Sequence, residues 1–201
     1  MTRSVILFAK PPMMGLAKTR LAHGMGKAEA QRVARLTLAR TLRAATDPRW
    51  QLTLYTTPRR HLAATLGGLW PPSLARQDQA GGDLGERLTR AFDRAPHGPV
   101  LFIGADCPGL TRGLVWRAFK ALQRQDTVVG PANDGGFWLY GLTKGGRAFR
   151  PPFAPVRWSS EHALADVLAN RDSQAPPARL PTLIDIDTAE DWRAWSRLYS
   201  S

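Results

Sequence analysis

Two short apolar runs constrain this chain more than any other feature: "SVILFA" (Ser4–Ala9) and "PVLFIGA" (99–105), each ended abruptly by a polar, turn-rich segment. Neither alternates apolar with polar residues. A continuous run of this length suits a strand covered on both faces, which is the setting of a mostly parallel sheet flanked by helices. Both runs are too short to cross a bilayer, and Lys10, Pro11 and Pro12 interrupt the first too early for a secretion signal. A cytoplasmic protein without a membrane partner is expected.

The segments between these runs carry helical periodicity. Ala30, Ala34, Leu38, Leu42 and Ala45 recur at spacings of three and four, which predicts a helix over 27–46. Further strands are expected at "QLTLYT", on both sides of the turn in "DTVVGPANDGGFWLYGL", and at "PTLIDI" (181–186). Further helices are expected over 58–66, from Asp83, after a Thr111 cap, over 159–171 with Ser159 or Ser160 as cap, and from Thr188 with Glu190 and Asp191 in its first turn. Strands alternating with helices make a three-layer α/β fold, and 201 residues that are 43% hydrophobic suffice for one core, so a single domain over 1–201 is expected.

The net charge of +12 is unevenly placed, with 16 Lys and Arg against 6 Asp and Glu in residues 1–100 and 12 against 10 in the remainder. Arg32, Arg35, Arg40 and Arg43 fall toward one side of the predicted 27–46 helix. No aromatic residues interleave with them, so a solvated helix face is expected and a nucleic-acid partner is disfavoured. The single cysteine excludes an internal disulfide, and the four histidines are scattered without zinc-ligand spacing. Cys107 reads as a small packed residue, and Ser159, Ser160 and His162 do not make a catalytic triad.

Ligands of open α/β sheets bind beyond the carboxyl ends of the strands, and the polar clusters of this chain fall there. "KPPMMGLAKTRL" follows the first strand. It is not a Walker A loop, because Ala17 stands where glycine must precede the lysine. Gly15 nonetheless permits close backbone approach, and Lys18 and Arg20 supply charge suited to phosphate oxygens; the bland alternative is a basic surface loop. Asp106, in "GADCPGL", stands at a strand tip where a carboxylate can hold Mg²⁺, although aspartate is also a common turn residue. In "LIDIDTAEDW" period-2 alternation puts Asp185 and Asp187 on one face and Ile184 and Ile186 on the other, which makes a second metal carboxylate available. "NDGGFWLYGL" presents Asp134, Gly135 and Gly136 before an aromatic strand, and "GGDLGERL" presents Asp83 either as a helix cap or as a contact to a nucleotide.

Taken in order, "KPPMMGLAKTRL", "GGDLGERL", "GADCPGL", "DGGFWLYGL", "VRWSSEHALADVL" and "DIDTAEDW" resemble the bacterial DUF2064 family, whose characterised relatives include 2-phospho-L-lactate guanylyltransferase and the molybdenum-cofactor nucleotidyltransferases. The resemblance spans almost the whole chain. It implies a GT-A, nucleotide-diphospho-sugar transferase fold with a Rossmann-like mixed sheet. It also implies that Lys10, Gly15, Lys18 and Arg20 hold the phosphates of a nucleotide, with Asp83 and Gly85 beside them, and that Asp106 and Asp187 bind Mg²⁺ or Mn²⁺. Met14, the Phe137-Trp138 pair and Ala189 depart from the family pattern and leave the acceptor open.

On this reading Lys18, Arg20 and Asp106 are the catalytic groups, and Asp134, Gly135, Gly136 and Trp138 form the acceptor side. The donor is a nucleoside triphosphate or nucleotide sugar. Because no general base is evident, nucleotidyl transfer to a small phosphorylated acceptor is favoured. The alternatives are glycosyl transfer from a nucleotide sugar and a non-catalytic basic module that binds nucleotides or nucleic acid.

Overall fold

A computed structural model describes residues 1–145, 150–173 and 175–199 of the 201. Seven strands form one sheet: β1 (Ser4–Ala9), β2 (Gln51–Thr56), β3 (Ala75–Asp78), β4 (Gly98–Gly104), β5 (Thr127–Pro131), β6 (Phe137–Lys144) and β7 (Ala178–Arg179). Their spatial order is β3-β2-β1-β4-β6-β5-β7, and only β6 runs against the others. The reversal comes from the turn after Pro131, which folds β6 back between β4 and β5. The two apolar runs of the sequence are the central pair, with Val5 opposite Leu101 and Leu7 opposite Ile103.

Both faces of that pair are covered, which is why neither run alternates. Val5, Leu7, Leu101 and Ile103 pack against α2 (Lys27–Ala45) and α4 (Arg112–Ala121) through Leu38, Leu42, Val115 and Phe119. Ile6, Val100 and Phe102 pack on the opposite side against α3 (Leu84–Arg94) and α5 (Ala163–Ala169) through Leu88, Phe92, Leu164 and Val167. A third, smaller cluster joins α1 (Thr19–Met25) and α2 to α6 (Ala189–Tyr199) through Leu21, Val33, Ile186 and Trp195. Asp83 begins α3 with a capping box, its carboxylate accepting from the Glu86 N–H at 2.8 Å while Glu86 accepts from the Asp83 N–H. Thr111 caps α4, as its sequence position predicts. Among the described residues no helix is long and apolar enough to cross a membrane.

Three local expectations are corrected, and one further strand is found. The 58–66 segment makes only a 3₁₀ turn at Arg59–His61, and the helix expected over 159–171 is confined to Ala163–Ala169, because Ser159 takes a left-handed backbone (φ 58°) incompatible with a helix start. β3 is an edge strand of sequence "ARQD", too polar and too short for its pattern to register. The "PTLIDI" segment is not a continuous strand. It touches the sheet at one bridge, Ala132 with Leu183, while the Pro181 carbonyl accepts from the Trp138 indole at 3.1 Å and the N–H groups of Asp185 and Ile186 go to loop acceptors. Those backbone groups are therefore not available to a ladder.

The arginines of α2 are also more committed than a solvated face would be. Arg35 donates to the Leu66 carbonyl, and Arg40 donates to the Pro108 carbonyl while lying 5.0 Å over the Trp195 ring; Arg32 pairs with Glu29 on the surface.

Packing between β5 and β6 supplies a test. A Cβ at Gly130 would collide with the Trp138 ring, whereas a Cβ at Gly104 meets nothing within 4 Å. Gly130→Ala should cost about 1–3 kcal/mol by overpacking, and Gly104→Ala should change stability by no more than about 0.5 kcal/mol. Urea denaturation of both variants measures the difference, and equal effects would contradict the packing described.

Candidate active site

β1 and β4 are parallel neighbours, so the loops that leave them, 10–18 and 105–111, meet at the same edge of the sheet. Lys18 lies at the end of the first loop and Asp106 near the start of the second. Lys18 has a left-handed backbone (φ 57°, ψ 44°) at the N-cap of α1, uncommon for a residue with a side chain, and that side chain is only 8% exposed. Its ammonium lies 2.7 Å from Asp106 Oδ1 and 3.7 Å from Asp187 Oδ1. Arg20 remains exposed and donates to Asp187 Oδ2 at 2.7 Å.

Asp185 is the third carboxylate of this group. Its Oδ1 is buried and has no hydrogen-bond partner among the described residues. Burial pushes Asp185 up to about 7, with Asp106, Asp134 and Asp187 adding to the effect and Lys18 opposing it. Burial works the other way on Lys18, but Asp106, Asp185 and Asp187 together outweigh it, so the lysine is held above its ordinary value and stays charged. Burial likewise pushes the Cys107 thiol well above its usual range, which leaves it a packed, unreactive group.

The backbone around Asp185 and Asp187 is tied from three directions. The Asp185 N–H donates to Asn133 Oδ1 at 2.8 Å, and the Ile186 N–H donates to the Asp106 carbonyl at 3.0 Å. At the start of α6, Asp191 Oδ2 accepts from the N–H groups of Asp187 and Thr188 and from the Thr188 hydroxyl. Ile186 is fully buried between the two carboxylates' positions. The alternation expected for "LIDID" therefore holds, with aspartates toward the cleft and isoleucines toward the core, although the segment is not a strand.

These groups open on a cleft of about 470 Å³. Its lining combines charged groups, Asp106, Asp134, Glu161, Asp185 and Asp187 with Arg20, and apolar ones, Phe8, Leu84, Leu88, Phe137 and Trp158. Acids predominate among the charged groups, so a phosphate-bearing ligand there requires an added cation. Among the described residues no group of three or more His, Cys, Asp or Glu side chains is arranged to hold a metal ion by itself. The donor chemistry nevertheless fits a hard cation. Asp106 and Asp187 are about half exposed, Asp185 has an unpartnered oxygen, and Mg²⁺ or Mn²⁺ ordinarily completes its shell with phosphate oxygens and water.

Of the residues singled out from sequence, Lys18, Arg20, Asp106 and Asp187 are brought into contact. Asp134 and Gly136 line the same cleft, with the Asp134 carboxylate accepting from the Gly136 N–H at 2.9 Å. Gly135 (φ 86°) is needed for a different reason, since a Cβ there would collide with the backbone of Glu161. Trp138 reaches the cleft only by an edge, being 1% exposed and anchored to Pro181. Lys10 and Gly15 are exposed and away from the carboxylates' cleft; Gly15 borders a smaller cavity behind the loop. Asp83 serves as the α3 cap, and Gly85 packs under the Phe153 carbonyl, where no Cβ would fit. Sequence reasoning gave Asp185 no role of its own and missed the Trp158–Glu161 wall; the only signal for either was motif membership in "DIDTAEDW" and "VRWSSEHALADVL".

Comparison with known proteins supplies the context for this arrangement. A family model described as an uncharacterized protein conserved in bacteria (DUF2064) matches residues 37–160. A provisionally assigned nucleotide-diphospho-sugar transferase from Desulfovibrio desulfuricans is 29% identical, with a TM-score of 0.88 over 98% of this chain and 88% of that one. CMP:2-keto-3-deoxy-manno-octonic acid synthetase, solved with CTP, has a TM-score of 0.59 at 9% identity over 100% of this chain and 99% of its own. Rv0371c from Mycobacterium tuberculosis, solved with manganese, has a TM-score of 0.54 at 17% identity over 100% of both chains. The last two show the fold alone. No curated protein matches.

The raised Asp185 gives a pH signature. A carboxyl that holds its proton more tightly folded than unfolded contributes stability below its ordinary value near 4, and that contribution is lost as pH rises through about 7. Asp185→Asn, a neutral mimic, should match the parent near pH 4 and melt several degrees higher at pH 8. Melting curves across that range decide it; a variant less stable at pH 8 than at pH 4 relative to the parent contradicts the assignment.

Proposed function

Because the chain belongs to the DUF2064 family, we propose that it is a divalent-metal-dependent transferase acting on a nucleoside triphosphate or nucleotide sugar, with nucleotidyl transfer to a small phosphorylated acceptor as the favoured reaction. The observation that carries this reading is the convergence of Lys18, Arg20, Asp106 and Asp187 at one edge of the sheet, beside a cleft lined by acidic and apolar side chains. The shared fold with a synthetase that binds CTP and with a manganese-binding protein is consistent with it.

Asp106 and Asp187 would hold Mg²⁺ or Mn²⁺, which supplies positive charge to the phosphate chain as it leaves. Arg20, exposed and beside Asp187, is placed to bind a phosphate oxygen of the same chain. The apolar side chains offer a stacking and packing surface to a base or sugar, and the turn at Asp134–Gly136 borders the space left for the acceptor. Catalysis of this kind is chiefly positional and electrostatic.

One observation favours glycosyl transfer as the second reading. Asp185 lines the cleft, so the site does contain a carboxylate beside the space where a hydroxyl acceptor would sit. The absence of a base therefore no longer separates the two reactions, but their products do. Nucleotidyl transfer releases pyrophosphate, and glycosyl transfer releases a nucleoside diphosphate.

A thermal-shift screen of nucleoside triphosphates and nucleotide sugars, with and without Mg²⁺ or Mn²⁺, should show stabilisation that needs both nucleotide and metal and is lost in Asp106→Asn. Stabilisation by nucleotide that persists in that variant rejects the metal-dependent reading. Product analysis with the stabilising donor then selects the reaction.

Arg20→Ala should weaken binding of that nucleotide by about 1.5–3 kcal/mol, and Arg32→Ala, which loses only a surface pair with Glu29, should leave it unchanged. Calorimetric titration measures both. Equal losses would mean that the arginines act only through diffuse charge.

A further inference from the structure

Resting on the metal-site reading above, we propose that the Lys18 ammonium and a divalent cation are alternative occupants of the same carboxylate cluster, so that metal uptake displaces Lys18 from Asp106 and Asp187. Lys18 is then the resident counter-ion of the site and sets its metal affinity.

The geometry carries this. The ammonium is 2.7 Å from one carboxylate and 3.7 Å from the other, between the two side chains expected to bind metal. It is also nearly enclosed, with 8% of the side chain exposed, which is rare for lysine unless it is paired. Asp185 adds a third carboxylate with an unpartnered buried oxygen. A divalent cation at the same carboxylates repels an ammonium in contact with them and competes with it for the same oxygens. Arg20 does not fill this role, because it approaches Asp187 from the solvent side and stays 70% exposed.

The displacement has a consequence for the nucleotide. Asp106 and Asp187 neutralise Lys18 while they hold it, so the lysine is not available to a phosphate. Once released at the N-terminus of α1, it becomes a free cation two residues from Arg20, which lines the cleft. Metal uptake thereby converts Lys18 from an internal neutraliser into a phosphate ligand, which orders binding as metal with or before nucleotide.

The test uses Mn²⁺ alone, with protein stripped by chelation. Calorimetry should show Mn²⁺ binding to the parent that is lost in Asp106→Asn, at least tenfold tighter binding in Lys18→Met, and binding within threefold of the parent in the charge-conserving Lys18→Arg. A second measurement needs no variant that could misfold. Amine acetylation of the parent, read by mass spectrometry at Lys18 and at exposed Lys10 as internal control, should rise several-fold at Lys18 alone when Mn²⁺ is added. If the parent binds Mn²⁺ through Asp106 but neither Lys18 labelling nor Lys18→Met affinity changes, the displacement is overturned and the metal site stands. If the parent binds no Mn²⁺, or binds it equally well as Asp106→Asn, both are overturned.

Discussion

A single enclosed ammonium sets the terms for the rest of this structure. Lys18 stands among Asp106, Asp185 and Asp187, and these four side chains come from loops after two different strands and from the segment before the last helix. Three carboxylates in this space would repel one another strongly without it. The ion pairs therefore act as a clasp between remote parts of the chain. Removing one partner of such a buried arrangement is costly because the remaining charge stays where water is scarce.

The sheet explains why the clasp forms where it does. Parallel neighbours end at the same edge, so β1 and β4 start their loops side by side, and the left-handed turn at Lys18 closes the first loop against Asp106 in the second. The reversed β6 does something different. Its hairpin with β5 brings the Asn133–Gly136 turn to that edge, and Asn133 then holds the Asp185 backbone while Gly135 lets the Glu161 loop approach. One antiparallel strand thus builds the second wall of a cleft whose first wall is made by parallel ones.

What was legible in the sequence follows from the kind of signal each part leaves. Continuous apolar runs mark the doubly covered strands, and the layers follow from them because a run such as "PVLFIGA" has no polar face to expose. β3 left no such mark, since an edge strand of "ARQD" needs only backbone pairing to β2. In "PTLIDI" the alternation of aspartate and isoleucine has the period of a strand, yet it reflects only which side of an irregular segment is buried. Asp106 and Asp187 were recognisable as a pair, but the lysine between them was not. Sequence separates charge type from position, and it shows Lys18 as a basic loop residue without showing that its side chain is enclosed. For the same reason Asp83 and Gly85 drew attention as ligand contacts, while their local work, capping α3 and fitting under Phe153, depends on neighbours far along the chain.

The reach of the contacts across the site bears on how the protein is made. Arg20 and Asp187 touch across 167 positions, and Ile186 completes the hydrogen bond to Asp106 while filling the cluster of Leu21, Val33 and Trp195. During synthesis the central strands and their helices emerge well before these residues do. Until residues 185–191 arrive, Lys18 and Asp106 have only each other, and the small cluster against α1 and α2 lacks its centre. Closing loops this long is slow relative to local helix formation, so the edge that carries the cleft is the late-assembling part of the molecule. The chain thus completes its scaffold before it completes its charge balance, and a nascent or C-terminally clipped molecule would retain the sheet while leaving Lys18 to Asp106 alone and Arg20 without Asp187.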